Sequence, residues 1–239
     1  MTESPFEITM NGPGKNALGA AMMTFLIDAL REAGGRPVLL TGTGDAFSAG
    51  LNLREVAGLD EAGMLDFLRL LERCMSALYL YPGPTVAAIN GHAIAGGAVL
   101  ACCCDDRVAT ASPRARIGLN EVALGVRFPP RILTILRRRL PPEHLETLIL
   151  GARLVDPAEA ARLGLVDVVA EDPLAAARAR LALLASHPAA AYAASKRDLR
   201  GATDIDLCPD DEAERLLVQA LPAWSSPALK EKIASILGR

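Results

Sequence analysis

Two stretches of this chain have residue types and spacing suited to chemistry. The first is the pair Gly96-Gly97, set between the small-residue segment Ala93-Ile94-Ala95 and the uncharged run Ala98-Val99-Leu100-Ala101-Cys102-Cys103-Cys104. That run has no Gly or Pro and suits a buried helix. Paired glycines at its start let backbone approach a ligand without interference from Cβ. They also leave unpaired N–H groups where the helix dipole favours negative charge, which makes the turn a candidate oxyanion site. The second stretch is Ile117-Gly118-Leu119-Asn120-Glu121, which places one carboxylate in an otherwise apolar segment. Burial there would raise the pKa of Glu121 and make it a better base.

These groups need elements to hold them. Thr85-Val86-Ala87-Ala88-Ile89 is a short apolar run that reads as a buried strand, broken by Asn90-Gly91. Pro37 to Gly42 reads as a second strand, leaving into the turn-rich segment Asp45 to Arg54. Phe6 to Met10 is a candidate first strand, and Asn11-Gly12-Pro13-Gly14 a turn. Met22, Met23, Leu26, Ile27 and Leu30 recur at helical spacing, as do Met64, Phe67, Leu68, Leu71, Met75 and Leu78 within Glu61 to Tyr81. Pro82-Gly83-Pro84 ends that helix. Helices are expected over Arg131 to Leu140, Glu143 to Leu150 and Ala158 to Leu163, the last closed by Gly164. The basic run Arg137-Arg138-Arg139 reads first as a solvated face, and Val166 to Val169 as a short strand. From Pro173 the composition turns to Ala, Leu and Arg, and helices are expected over Leu174 to Ser186, Ala189 to Arg200, Asp210 to Leu221 and Ala228 to Leu237. The alternation of strand and helix indicates an α/β class. A core domain over residues 1–170 and a helical C-terminal region over 171–239 are expected.

Bulk properties exclude several function classes. A chain of 239 residues can bury one sizeable core. Its net charge of -3, with no concentrated basic face, argues against nucleic acid as the main partner. No apolar run reaches membrane-spanning length, and Met1-Thr2-Glu3-Ser4-Pro5 lacks the basic-then-apolar pattern of a leader. Three of the five cysteines are consecutive, so they do not form a disulfide framework. They read as reduced packing residues in a cytoplasmic protein. No His or Cys set has metal-ligand spacing, so no metal is expected.

Several ordered motifs resemble the crotonase (enoyl-CoA hydratase/isomerase) superfamily: LTGTGDAFSAGLNL from Leu40 to Leu53, AAINGHAIAGG from Ala87 to Gly97, CDDRVA from Cys104 to Ala109, IGLNEVALGV from Ile117 to Val126, and DPAEAARLGLVDVV from Asp156 to Val169. The resemblance implies a crotonase-like ββα superhelix with a helical C-terminal trimerisation region. A homotrimer or a hexamer built as a dimer of trimers is then expected, although a helical cap on the same subunit is the plainer reading of the tail. The start of the chain looks trimmed against the family, so its first sheet is expected to lack a strand. The implied substrate is an acyl-CoA thioester, coenzyme A arriving as part of the substrate and no further cofactor being needed. By position, Leu51 and Gly96 supply the two oxyanion N–H groups. Ala49, Gly50, Arg54, Gly97 and Asn120 complete the expected substrate-binding set. Asp105 matches a family aspartate that is structural. Phe128-Pro129-Pro130 would wall off the acyl chain. Lys15 meets either a CoA phosphate or solvent, and His92, close to the oxyanion turn, is not made catalytic by the motif.

Enoyl-CoA hydratases of this family carry two glutamates beside the thioester. The places they occupy are here Val99 and Glu121. Val99 can neither orient water nor move a proton. One carboxylate suffices to take a proton from C2 of a 3-enoyl thioester and return it to C4. That is the pattern of the Δ3,Δ2-enoyl-CoA isomerases, which resemble this chain in the Ile-Gly-Leu-Asn-Glu segment and in an apolar residue at the Val99 place. The expected activity is therefore enoyl-CoA isomerisation with Glu121 as proton shuttle. The alternatives are a hydratase or other crotonase-type lyase or hydrolase, and a non-catalytic acyl-CoA-binding subunit.

Overall fold

The computed structural model describes residues 4–201 and 210–238. The first three residues of the stretch searched for a leader, and Cys208, lie outside the described residues. In chain order, β1 (Phe6–Met10) and the single-turn α1 (Pro13–Asn16) lead into α2 (Ala20–Ala33), then β2 (Val38–Gly42), β3 (Ala46–Ser48), α3 (Leu53–Gly58) and α4 (Glu61–Tyr79). Next come β4 (Thr85–Ile89), β5 (His92–Ile94) and α5 (Gly96–Cys103), followed by β6 (Asp106–Thr110), β7 (Ile117–Gly118) and α6 (Glu121–Leu124). The remainder is α7 (Pro130–Arg139), α8 (Pro142–Ile149), α9 (Pro157–Arg162), β8 (Val168–Ala170), α10 (Pro173–Ala185), α11 (Ala189–Arg200), α12 (Asp210–Trp224) and α13 (Pro227–Leu237).

A unit of strand, short strand and helix occurs three times, as β2-β3-α3, β4-β5-α5 and β6-β7-α6. The first strand of each unit joins a five-stranded sheet of order β1-β2-β4-β6-β8, and the second joins a three-stranded sheet of order β3-β5-β7. All strand pairs in both sheets are parallel. Parallel sheets are covered on both faces, so their central strands read as unbroken apolar runs, and all five residues of β4 are buried. The Asn90-Gly91 break is the corner between the sheets. Asn90 Oδ1 accepts from Gly42 N–H (3.2 Å) and Nδ2 donates to Gly44 O (3.0 Å), tying the two corners together.

One face of the large sheet is closed by α10 through a small cluster of Leu39, Val86, Ala88, Val108, Ala177 and Leu181. The main core lies on the other side, where the apolar stripe of α4 (Met64, Phe67, Leu68, Leu71, Met75, Leu78) is buried throughout. Truncating one such leucine to Ala would cost about 2–5 kcal/mol. Four cysteines (Cys74, Cys102, Cys103 and Cys104) are free and buried in this core, and Cys103 Sγ sits 3.9 Å from Met75 Sδ.

The structure amends one expectation, that of the basic run, and shows how the tail packs. Leu217, Leu221, Trp224, Leu229 and Ile233 of α12 and α13 belong to the same core cluster as the sheet residues. The tail packs on its own subunit, α12 against α4 and α13 against α3. The run Arg137-Arg138-Arg139 is not one solvated face: Arg137 is exposed, whereas Arg139 turns inward and donates to Cys102 O (3.1 Å), Cys104 O (2.8 Å) and Asp105 O (3.0 Å).

Candidate active site

A cavity of about 870 Å³ opens between α3, α5, α6 and the C-terminal helices. Its polar end is built by two loops in contact. The loop after β3 turns at Gly50 (φ 91°), a backbone conformation that suits glycine. The second loop enters α5 through Ala95, a non-glycine residue at φ 49°, ψ -121°. Such a conformation costs on the order of 1–3 kcal/mol and persists where its surroundings enforce it. Here Ala95 N–H donates to Gly118 O (2.8 Å) while Ala95 O accepts from Val99 N–H (3.0 Å). Gly97 is required by close approach, since a Cβ there would lie 2.2 Å from Ser48 O. Ser48 is itself held by its hydroxyl, which donates to Asn16 O (2.8 Å).

This packing leaves two N–H groups without a partner among the described residues. Leu18 and Leu51 form a parallel bridge in which Leu18 N–H donates to Gly50 O (2.7 Å) and Asn52 N–H to Leu18 O (3.1 Å), passing over the N–H of Leu51. Gly96 opens α5, so its N–H has no carbonyl one turn earlier in the helix. Leu51 and Gly96 both line the cavity and touch, a Cβ on Gly96 lying 3.3 Å from Leu51 Cδ2.

Glu121 is the first residue of α6, 7% exposed, and lines the same cavity. Its Oε2 is buried with no hydrogen-bond partner among the described residues. Burial pushes its pKa up to about 8, against a smaller lowering by its own backbone N–H. The neighbouring Arg116 does not neutralise it: that guanidinium donates to Pro113 O (2.7 Å) and Ala115 O (2.8 Å). Glu121 is the one carboxylate on the cavity wall among the described residues, and Val99 contributes an apolar surface to the same wall.

Of the sequence-predicted residues, the cavity gathers Glu121, Leu51, Gly96, Ala49, Asn120 and Arg54. Asn120 Oδ1, beside Glu121, is buried and has no partner among the described residues, and Arg54 is exposed at the rim. Gly50 and Gly97 are not on the wall; they set the loops behind it. Lys15 is at the surface in an ion pair with Asp45 (2.7 Å). His92 is off the wall too, its Nδ1 accepting from Arg116 N–H (3.1 Å). Asp105 is buried elsewhere, accepting from Thr85 N–H (2.7 Å), Tyr192 OH (2.9 Å) and Lys196 Nζ (2.8 Å).

Phe128 and Pro129 line the far wall as expected, but sequence reasoning missed the residues that α12 and α13 add to it. Trp224, Leu229, Ile233, Ile236 and Leu237 close the apolar end together with Phe128 and Ile132. The lone tryptophan is pinned there by its indole N–H, which donates to Arg127 O (3.1 Å). Spacing of the apolar residues in α13 was a usable signal, but only of a buried face and not of what the face covers. Lys230 ties α13 to Leu59 O (3.3 Å), and Lys232 ties it to Ala123 O.

The family model for enoyl-CoA hydratase/isomerase matches residues 2–226. A Thermus thermophilus protein named as an enoyl-CoA hydratase is 39% identical over 171 residues, covering 68% of this chain and 66% of that protein, so this chain spans just under two thirds of its length. The mouse protein named mitochondrial enoyl-CoA delta isomerase 1 is 31% identical over 223 residues, covering 89% of this chain and 77% of that protein. The crystal structure of human mitochondrial Δ3-Δ2-enoyl-CoA isomerase superposes with a TM-score of 0.86 at 28% identity, covering 98% of this chain and 93% of that one.

Proposed function

The chain belongs to the enoyl-CoA hydratase/isomerase family, and from that premise we propose that it moves a carbon–carbon double bond of an enoyl-CoA thioester from position 3 to position 2. The thioester oxygen sits between the N–H groups of Leu51 and Gly96. Ionised Glu121 takes a proton from C2, and the electron pair spreads through C1 onto that oxygen and through the C3–C4 double bond onto C4 as a dienolate. The same carboxyl group then returns the proton to C4, leaving the double bond between C2 and C3. Atoms and charge balance without water, oxidant or metal, so the proposed reaction draws on no cofactor beyond the coenzyme A of its substrate. A thioester α-proton is too weakly acidic for a carboxylate in water. Two aimed donors lower the barrier, and losing one such donor costs about 3 to 4 kcal/mol.

The observation that carries this reading is the solitary carboxylate. Glu121 lines the cavity with an unpartnered oxygen, while Val99 contributes only hydrocarbon. The purified protein is expected to convert a 3-enoyl-CoA to the conjugated 2-enoyl-CoA, read by the gain in absorbance, and Glu121→Gln to abolish the conversion. Full rate in the Gln variant would show the base to be another group.

A hydratase reading has one observation in its favour. The buried Oδ1 of Asn120 and Oε2 of Glu121 both lack partners among the described residues and could together accept from a water molecule. Loss of conjugated absorbance on adding crotonyl-CoA, without isomerisation of 3-enoyl-CoA, would favour it. Binding of acyl-CoA with no turnover of any thioester would instead indicate a non-catalytic subunit. The proposal carries a homotrimer or a dimer of trimers, which sedimentation equilibrium measures.

A further inference from the structure

A second cleft, of about 630 Å³, shares no lining residue with the acyl cavity and lies at the opposite end of α5. Its wall carries Arg139, Arg180, Lys196 and Arg200 against Asp105, Asp106 and Asp167. The carboxylates are already engaged. Asp167 is gripped by the buried Arg107 through Nε (2.8 Å) and Nη2 (2.8 Å). Asp106 pairs with Arg180. Asp105 alone faces two buried cations, Lys196 (2.8 Å) and Arg200 (2.7 Å). Arg139 has no carboxylate partner among the described residues and meets only main-chain carbonyls.

Among the described residues, two positive charges, that of Arg139 and one of the Lys196–Arg200 pair, are therefore left without a counter-charge in the cleft. The carbonyl end of α5 offsets part of this, being worth about half an elementary charge. Burial and the neighbouring guanidinium of Arg200 hold Lys196 down at about 8, and Arg107 and Arg200 lower Arg139 further after burial. Like charges crowded at low exposure need an anion, because an uncompensated buried charge is costly. The cleft rim adds the imidazole of His187 and the hydroxyl of Ser195, both exposed and able to donate to one.

We propose that this cleft is an oxyanion-binding site, distinct from the acyl-CoA cavity, in which a phosphate group is held by Arg139 and the Lys196–Arg200 pair, with Arg180 at the rim. The site is independent of which reaction the acyl cavity performs.

The test is thermal unfolding and titration calorimetry of the full chain with inorganic phosphate against sodium chloride at equal ionic strength, each with and without saturating coenzyme A. Phosphate is expected to raise the melting temperature beyond chloride in both conditions. Arg139→Gln should weaken phosphate binding about tenfold, the effect of losing one charge-assisted hydrogen-bonding group. Because Arg139 also holds the end of α5, Arg180→Gln serves as the second variant. It should weaken binding several-fold and leave the acyl-CoA turnover rate unchanged. The proposal is overturned if phosphate and chloride act alike, or if both variants bind phosphate undiminished. Abolition of the phosphate effect by coenzyme A would overturn it too, by assigning the phosphate to the substrate's own subsite. So would a phosphate effect that appears only with a change of sedimenting mass, which would place an acidic group of a second copy in the cleft.

Discussion

At its N-terminus, α5 turns uncharged amides toward an apolar cavity whose one acid among the described residues, Glu121, has an unpartnered Oε2. At its C-terminus the carbonyls of Cys102, Cys103 and Cys104 are held by Arg139 and Arg200, with Lys196 and Asp105 packed beside them. One end leaves polar groups unsatisfied, and the other meets the carbonyls of Cys102, Cys103 and Cys104 with guanidinium groups and that of Ala101 with the Cys104 N–H. Unmade hydrogen bonds are costly in a folded protein, and at the first end they are what a substrate oxygen and a moving proton would complete. Made ones at the second end fix the helix so that the first end can be strained. The contrast teaches where to look for rate and where to look for stability: at the two ends of eight residues.

That contrast can be broken most directly by substitution. The largest effect is expected from Glu121→Gln, a loss of about 10²- to 10⁴-fold or more in isomerisation rate, with acyl-CoA binding retained in calorimetry. Asp105→Ala, at the other end, should do the opposite. It strands Lys196 and Arg200, buried at 7% and 4% exposure, and should destabilise by about 3–5 kcal/mol in chemical denaturation. Turnover per folded molecule should be little changed. If Asp105→Ala lowered turnover while leaving stability intact, the two ends would not be separable in this way.

A pH series sharpens the same point. Glu121 acts as a base only when ionised, and burial holds its pKa at about 8. The value of kcat/KM for a 3-enoyl-CoA should therefore climb as pH rises through about 8 and flatten above it. Stability should run the other way. The folded state keeps the proton at pH values where the unfolded chain has lost it, so stability falls between the ordinary carboxylate range near 4.5 and about 8. Glu121→Gln should remove that slope, which thermal melts at pH 5 and pH 9 would reveal. A smaller effect is expected from Trp224→Ala at the far wall. It should raise KM for long acyl chains more than for short ones, and steady-state kinetics with a chain-length series checks this.

The sequence made one end of α5 far more legible than the other. Gly96-Gly97 and Glu121 announce themselves because glycine pairs and a lone acid in an apolar run have few other uses, and the structure brings Gly96 and Glu121 to one cavity, with Gly97 behind its wall. Strand runs such as Thr85 to Ile89 were readable because a strand buried on both faces has to be apolar at every position. Arg139 was misread because a basic run looks the same whether it faces solvent or turns onto carbonyls from a distant helix end. The cavity role of Trp224 and Ile233 was hidden for a related reason. Periodicity shows that a helix has a buried face, while only the tertiary path of residues 210–237 shows that this face closes a cavity formed by α5 and α6.

The cysteines of α5 give the protein a built-in clock. Burial pushes Cys104, and Cys74 on α4, up to about 12 and Cys103 well above its ordinary value, so these sulfurs are held as inert thiols while α5 stays seated. An alkylating reagent would label them only in molecules whose central helix has swung free. The rate of labelling at neutral pH would then time the opening of the unit that carries the paired glycines.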